Sequence, residues 1–199
     1  IGYLKAYVQD ALGDMVDISL FKHPNRFLQA VHDERPDIVG FSNYGWNENL
    51  NYAIGRHVRK IVPNALIAGG GPNIDPTDDR RVSFLRKHDY LDFLIINGGE
   101  EPFTELVQWQ FDGGRDYSAI PDNIVLLDHD GLRQTPERPL KKIIKHLPSP
   151  YLAGYLDEFL AAGMVPLFET NRGCPFQCTF CAWGLASKDL VRRIDLDQA

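Results

Sequence analysis

From Met15 to about Trp109 the chain alternates short apolar, β-branched runs with amphipathic stretches. That pattern predicts an α/β domain with a parallel sheet covered on both faces. Val16-Asp-Ile-Ser-Leu-Phe21 reads as a strand, followed by an Asn25-capped helix carrying Phe27, Leu28 and Val31. Asp37–Ser42 is the next strand, and Asn47 caps a helix whose buried stripe is Leu50, Ile54, Val58 and Ile61. Ala65–Ala68 is a third strand, running into Gly69-Gly-Gly-Pro-Asn73. A Thr77-capped helix with Val82 and Leu85 leads to a fourth strand, Asp92–Ile96. Gly98-Gly-Glu-Glu-Pro102 then opens a helix carrying Phe103, Leu106 and Val107.

The first residues read differently. Leu4, Val8, Ala11 and Leu12 have helical spacing from the start, with no strand before them. In a flavodoxin-like (Rossmann-like) sheet of order 2-1-3-4-5 that strand is central, so the expectation is a chain that begins inside a domain. After the α/β domain, Ile124–Leu127 and Leu132–Gln134 flank Asp128-His-Asp-Gly131 and predict a hairpin. Pro136 to Pro150 reads as a linker, residues 153 to 162 as a short helix ended by Gly163, and Val165–Glu169 as one further strand. The expected organisation is an α/β domain over 1–112, hairpin and linker over 113–150, and the start of another domain over 151–199.

Composition narrows the function classes without choosing one. With 44% hydrophobic and 24% charged residues the chain has an ordinary globular balance, and no apolar run reaches membrane-spanning length. A net charge of -6 argues against a general nucleic-acid surface. No signal peptide is evident, and the cysteines are clustered, which fits a reducing compartment and makes the cytoplasm the default.

All three cysteines lie in Glu169-Thr-Asn-Arg-Gly-Cys-Pro-Phe-Gln-Cys-Thr-Phe-Cys-Ala-Trp-Gly184. Cys174, Cys178 and Cys181 offer three soft thiolates round one point, a ligand set suited to an iron-sulfur cluster. Three ligands on a four-iron cubane leave one iron open to a small molecule. Two plainer readings compete: a buried stripe at i, i+4 and i+7 on a helix, and a zinc site. Gly173 and Pro175 favour a turn over a helix interior, and no His lies in the run to complete a zinc tetrad.

The string Thr170-Asn-Arg-Gly-Cys-Pro-Phe-Gln-Cys-Thr-Phe-Cys181 resembles the cluster loop of radical S-adenosylmethionine (radical SAM) enzymes, including Phe180 before the last Cys. The resemblance implies a [4Fe-4S] cluster held by Cys174, Cys178 and Cys181, with S-adenosylmethionine chelated at the open iron and cleaved to a 5'-deoxyadenosyl radical. It also implies that Val165–Glu169 is the first strand of a TIM-type barrel cut short here, and that an external one-electron reductant such as flavodoxin or ferredoxin serves it.

Residues 1–112 resemble the cobalamin-binding domain that many radical SAM enzymes carry. Ser42-Asn-Tyr44 and Gly69-Gly70 match that pattern's Ser-x-Leu and Gly-Gly, with Tyr44 in place of Leu. Gly98-Gly99-Glu100 resembles its closing Gly-Glu-Gly-Glu loop. The implied cobalamin rim is Ser42, Tyr44, Gly69, Gly70, Gly98 and Gly99, with Phe180 beside the cluster. A lower His ligand to cobalt would precede residue 1. Tyr44 and Trp46 could pack on a corrin face or belong to an ordinary core, while Glu100 and Glu101 could pair as acid and base but more often cap the following helix. None of the six His stands in ligand spacing with another.

The implied function is radical-based methyl transfer from methylcobalamin to an unreactive carbon or phosphorus of a small-molecule substrate. The alternatives are a radical SAM enzyme without cobalamin, methylthiotransferase-like or ring-forming, and a non-catalytic binding module stapled by a metal. A methylthiotransferase would carry further cysteines before the loop, and residues 1–173 have none.

Overall fold

The computed structural model of the protein describes residues 1–74, 77–114, 117–176, 178 and 191–195, which fall into two compact units. One comprises Ser19–Glu137, the other Ile1–Ile18 with Arg138–Ala199. The first is built on a five-stranded sheet of order β1-β2-β3-β4-β5: Ile38–Ser42, Leu66–Gly70, Phe93–Ile95, Ile124–Asp128 and Gly131–Gln134. β1, β2 and β3 are parallel, and β4 joins β3 antiparallel. The hairpin expected after the α/β domain therefore extends the sheet, closing through Gly131 at φ 123°.

Helices α2 (Pro24–Glu34), α3 (Glu48–Ile61), α4 (Asp78–Lys87) and α5 (Glu100–Phe111) belong to the same unit. Successive side chains of a strand point to opposite faces, and here both faces are apolar. Ile67, Leu94 and Val125 join Val31, Val58 and Leu85 of α2, α3 and α4 in one buried cluster. Leu66, Ala68, Phe93, Ile95, Ile124 and Leu126 join Leu106 and Trp109 of α5 in the other. This two-sided burial is what continuous apolar strands require. Arg59, in the last turn of α3, fixes the entry to two strands. Its guanidinium donates to the carbonyls of Ala65 (2.7 Å) and Tyr90 (2.8 Å) and to Asp92 Oδ2 (2.6 Å). The same Asp92 oxygen accepts the Ile67 N–H at 2.7 Å.

Several local expectations are corrected. Val16–Phe21 joins neither sheet; among the described residues no strand offers its backbone a ladder, and β1 pairs only with β2. Helix α2 begins at Pro24, not after Asn25, because proline at the first position lacks an N–H that would be unbonded there anyway. Ile54, Val58 and Ile61 of α3 pack on the core as expected, but Leu50 is exposed and the most buried positions of the helix are Asn51, Gly55 and Val58. The buried face extends to Asn51, whose amide donates to the Ser42 carbonyl and to Asn43 Oδ1, and to Gly55, which lies against the Tyr90 ring.

The other unit begins with helix α1 (Gly2–Leu12), as its spacing predicts. Its three-stranded sheet has the order β6-β8-β7: Ile143–Ile144, Arg192–Ile194 and Asn171–Arg172. Helix α6 covers only Asp157–Ala161, preceded by turns, and Gly163 at φ 80° follows its end. Val165–Glu169 is in no ladder: Val165 and Leu167 are 90% and 85% exposed, and the Leu167 backbone bonds to the Tyr151 hydroxyl. An extended segment becomes a strand only beside a partner. Among the described residues no helix is long and apolar enough to cross a membrane.

Candidate functional site

The carboxyl ends of β1, β2 and β3 lie level, with Ser42 opposite Gly70 and Gly70 opposite Ile95. In parallel α/β sheets this rim, where loops leave for helices, is where ligands bind. Three loops meet there: 42–47, 70–73 and 96–99.

The first loop is tied down by asparagines. The Ser42 carbonyl accepts the Asn47 and Asn51 side-chain amides, each at 2.9 Å. Asn51 also donates to Oδ1 of Asn43 at 2.7 Å, and Asn43 is completely buried. The Tyr44 ring stacks on Trp46 with centroids 4.5 Å apart and planes 16° from parallel. Tyr44 is half-buried, whereas Trp46 is 83% exposed. A stacked pair with so much free aromatic face is not core, which removes the plainer reading of Trp46.

The glycine loop separates into positions with different causes. A Cβ on Gly69 would stand 3.1 Å from both Asn43 Nδ2 and Leu91 Cδ1, so Gly69 is buried packing beneath the rim. Gly71 adopts φ 115°, and a Cβ there would lie 2.5 Å from the Asn43 carbonyl, so the turn itself demands glycine. Half-buried Gly70 has no such demand. Its Cβ would meet the Ile95 carbonyl at 3.6 Å, an ordinary contact. A glycine on the rim that internal packing does not require fits a ligand passing close to the backbone, as a corrin would.

Asn73 holds this loop in place: its N–H donates to the Asn43 carbonyl at 3.3 Å and its side-chain amide to Glu48 Oε2 at 2.9 Å. Lys87 and Asn73 hold the Glu48 carboxyl below its usual pKa through their hydrogen bonds. His88 Nε2 stands 3.6 Å from the same carboxylate. Completely buried, His88 stacks on Phe84, and burial pushes its pKa down, so it is a neutral core residue. Gly98 and Gly99 are half-buried at the third loop, where Gly99 caps α5. Glu100 and Glu101 occupy the first turn of α5, at the positive end of the helix dipole.

The rim thus gathers Ser42, Tyr44, Gly70, Gly98 and Gly99, with Gly69 one layer below. Asn43, Asn51, Asn73 and Glu48 were not singled out from the sequence. The signal was the density of asparagine in Ser42-Asn-Tyr-Gly-Trp-Asn-Glu-Asn49 and in the residues just after it.

The cysteine loop belongs to the other unit. Gly173 turns the chain at φ 99°, Cys174 follows half-buried, and Cys178 is exposed. Neither lies in a helix, which rules out a buried helical stripe for these two. Cys181 and Phe180 lie outside the described residues, and among the described residues no three His, Cys, Asp or Glu converge as a metal site. Cysteine sulfurs in a non-helical loop with no imidazole nearby in sequence are chemically suited to an iron-sulfur cluster.

The B12 binding domain family matches residues 1–107. The cobalamin-dependent radical SAM methyltransferase TokK of Streptomyces tokunonensis is 34% identical over 80% of this chain and 24% of its own length. A 2-(S-pantetheinyl)-carbapenam-3-carboxylate methyltransferase of Streptantibioticus cattleyicolor is 34% identical over 82% of this chain and 24% of its own. An uncharacterised methyltransferase of Pyrococcus horikoshii is 30% identical over 75% of this chain and 32% of its own. The chain thus spans 24% to 32% of these relatives' lengths. With more than half of its length matched, the chain belongs to the B12 binding domain family.

Proposed function

We propose that the chain is the cobalamin-binding part, and the start of the cluster-binding part, of an enzyme that transfers a methyl group to an unreactive carbon or phosphorus of a small molecule. One observation carries the reading: a B12 binding domain and the Cys174, Cys178, Cys181 triad stand in one chain. Relatives named as methyltransferases favour methyl transfer over ring formation. Cobalamin, when bound, would supply the methyl group, and a cluster held by Cys174, Cys178 and Cys181 would supply one electron to S-adenosylmethionine.

The chain's own residues bind and orient. Gly70 lets the corrin approach the backbone, and Ser42, Gly98 and Gly99 line the same rim. Tyr44 and Trp46 offer a flat apolar face that covers the ring and excludes water. Cys174, Cys178 and Cys181 hold the cluster. The electron comes from a flavodoxin or ferredoxin in the cytoplasm.

The test is anaerobic purification of the whole protein with metal and corrin analysis, then incubation with methyl-labelled S-adenosylmethionine. About four irons and one cobalt per chain, with label in the product, are expected. Zinc without cobalt rejects the reading; both metals with an unlabelled, cyclised product reject the methyl transfer alone.

Glycine substitutions test the rim. Gly70→Ala should keep the unfolding free energy within ~0.5 kcal/mol of wild type and weaken hydroxocobalamin binding about tenfold or more. Gly71→Ala should instead cost ~1–3 kcal/mol of stability, since the turn needs φ above zero. Urea unfolding and visible-band titration measure the two; equal corrin affinity in Gly70→Ala removes the ligand from that position.

A further inference from the structure

Asn47 occupies the residue before α3, where an asparagine ordinarily accepts a hydrogen bond from the helix's first free N–H groups. Here its side chain makes no such bond. Its polar atoms serve the preceding loop instead: Oδ1 accepts the Tyr44 N–H at 2.8 Å, with a longer bond from the Asn51 amide at 3.5 Å, and Nδ2 donates to the Ser42 carbonyl at 2.9 Å. The backbone adds a third closure, Asn47 N–H to the Tyr44 carbonyl at 3.1 Å. One side chain thereby closes the whole loop from Ser42 to Asn47. One helical turn later Asn51 donates to the same Ser42 carbonyl, so this oxygen is saturated.

The closed loop presents the Tyr44–Trp46 stack. An indole that is 83% exposed gains little from folding alone, and its ordered placement on Tyr44 is an outlay without return inside this unit. Ordering a loop before a ligand arrives removes that entropic cost from binding.

We propose that Asn47 is a positioning residue: it holds the Ser42–Asn47 loop so that the Tyr44–Trp46 stack stands ready to receive a flat, largely apolar macrocycle. The inference rests on the cobalamin reading of the rim and adds the residue that organises it. Asn47 touches no ligand in this scheme; it acts through the loop.

Two substitutions separate loop closure from helix capping. Asn47→Asp keeps the acceptor for Tyr44 and is as good a residue before a helix as Asn. It replaces the Ser42-facing donor with a second oxygen, so two acceptors oppose each other and the loop opens. Asn47→Ala loses all three side-chain bonds.

The experiment uses the whole protein and three measurements: thermal unfolding, near-ultraviolet circular dichroism of the ligand-free state, and titration with hydroxocobalamin. Asn47→Asp should unfold within about 3 °C of wild type. It should nevertheless lose the aromatic dichroism that Trp46→Ala also removes, and its dissociation constant for hydroxocobalamin should rise about tenfold or more. Asn47→Ala should show the same spectral and binding losses with a lower unfolding temperature. Wild-type dichroism and affinity in Asn47→Asp overturn the positioning role and leave the cobalamin reading standing. A wild-type protein that binds no hydroxocobalamin overturns both.

Discussion

Replacing Cys174, Cys178 or Cys181 singly with serine is expected to drop bound iron from about four per chain to below about one and to reduce reductive cleavage of S-adenosylmethionine to background. Serine keeps the size of the side chain but offers a hard, protonated oxygen where iron and sulfide need a soft thiolate. Three protein ligands leave no redundancy, so each single change should be as severe as all three together. Corrin binding is expected to survive, because the rim is built from residues of the Ser19–Glu137 unit alone and the cysteines lie in the other. Electron paramagnetic resonance of the dithionite-reduced protein, iron and sulfide assay, and hydroxocobalamin titration measure the three quantities. Zinc displaced by the substitution, with no iron in the wild type, would show that the thiolates close a structural site. Loss of corrin together with iron would show that the two cofactors do not have separable sites.

How much of this was legible beforehand differs from element to element. Ile38–Ser42, Leu66–Gly70 and Phe93–Ile95 were readable because strands buried on both faces need unbroken apolar runs. The rim followed from topology, since parallel strands must end on one side. Val16–Phe21 and Val165–Glu169 have strand-like sequences but no ladder among the described residues, and pairing is a tertiary event that no local pattern contains. The asparagines were hidden for the opposite reason. A polar residue on a helix reads as surface, yet Asn51 is buried because it satisfies Ser42 and Asn43, partners that adjoin it only after folding. Of three adjacent glycines, sequence alone could not say that Gly69 serves packing, Gly71 the turn, and Gly70 neither.

The same face of α3 sets a large expected stability effect, at Gly55. In an exposed helix, Gly→Ala adds about 1 kcal/mol of stability. At Gly55 the sign should reverse. A Cβ there would lie 2.2 Å from Tyr90 Cε2 and 2.4 Å from Cδ2, so the ring or α3 must move. The ring has little freedom, being 1% exposed and set edge-on against Phe41 at 5.6 Å and His88 at 5.9 Å. Overpacking of this kind costs ~1–3 kcal/mol, enough to lower the midpoint of thermal unfolding by about 5–10 °C in a unit of this size. Pushing α3 outward would also carry Asn51 and Asn47 away from Ser42, so corrin affinity should fall with stability. Tyr90 supplies the control. Its hydroxyl is buried with no hydrogen-bond partner among the described residues, so Tyr90→Phe should be neutral or stabilising while leaving the ring in place. Gly55→Ala should therefore remain damaging in a Tyr90→Phe background and lose most of its cost in Tyr90→Leu, a coupling of ~1–3 kcal/mol in a double-mutant cycle. A Gly55→Ala protein that melts above wild type would mean that helix propensity, not ring packing, governs the position.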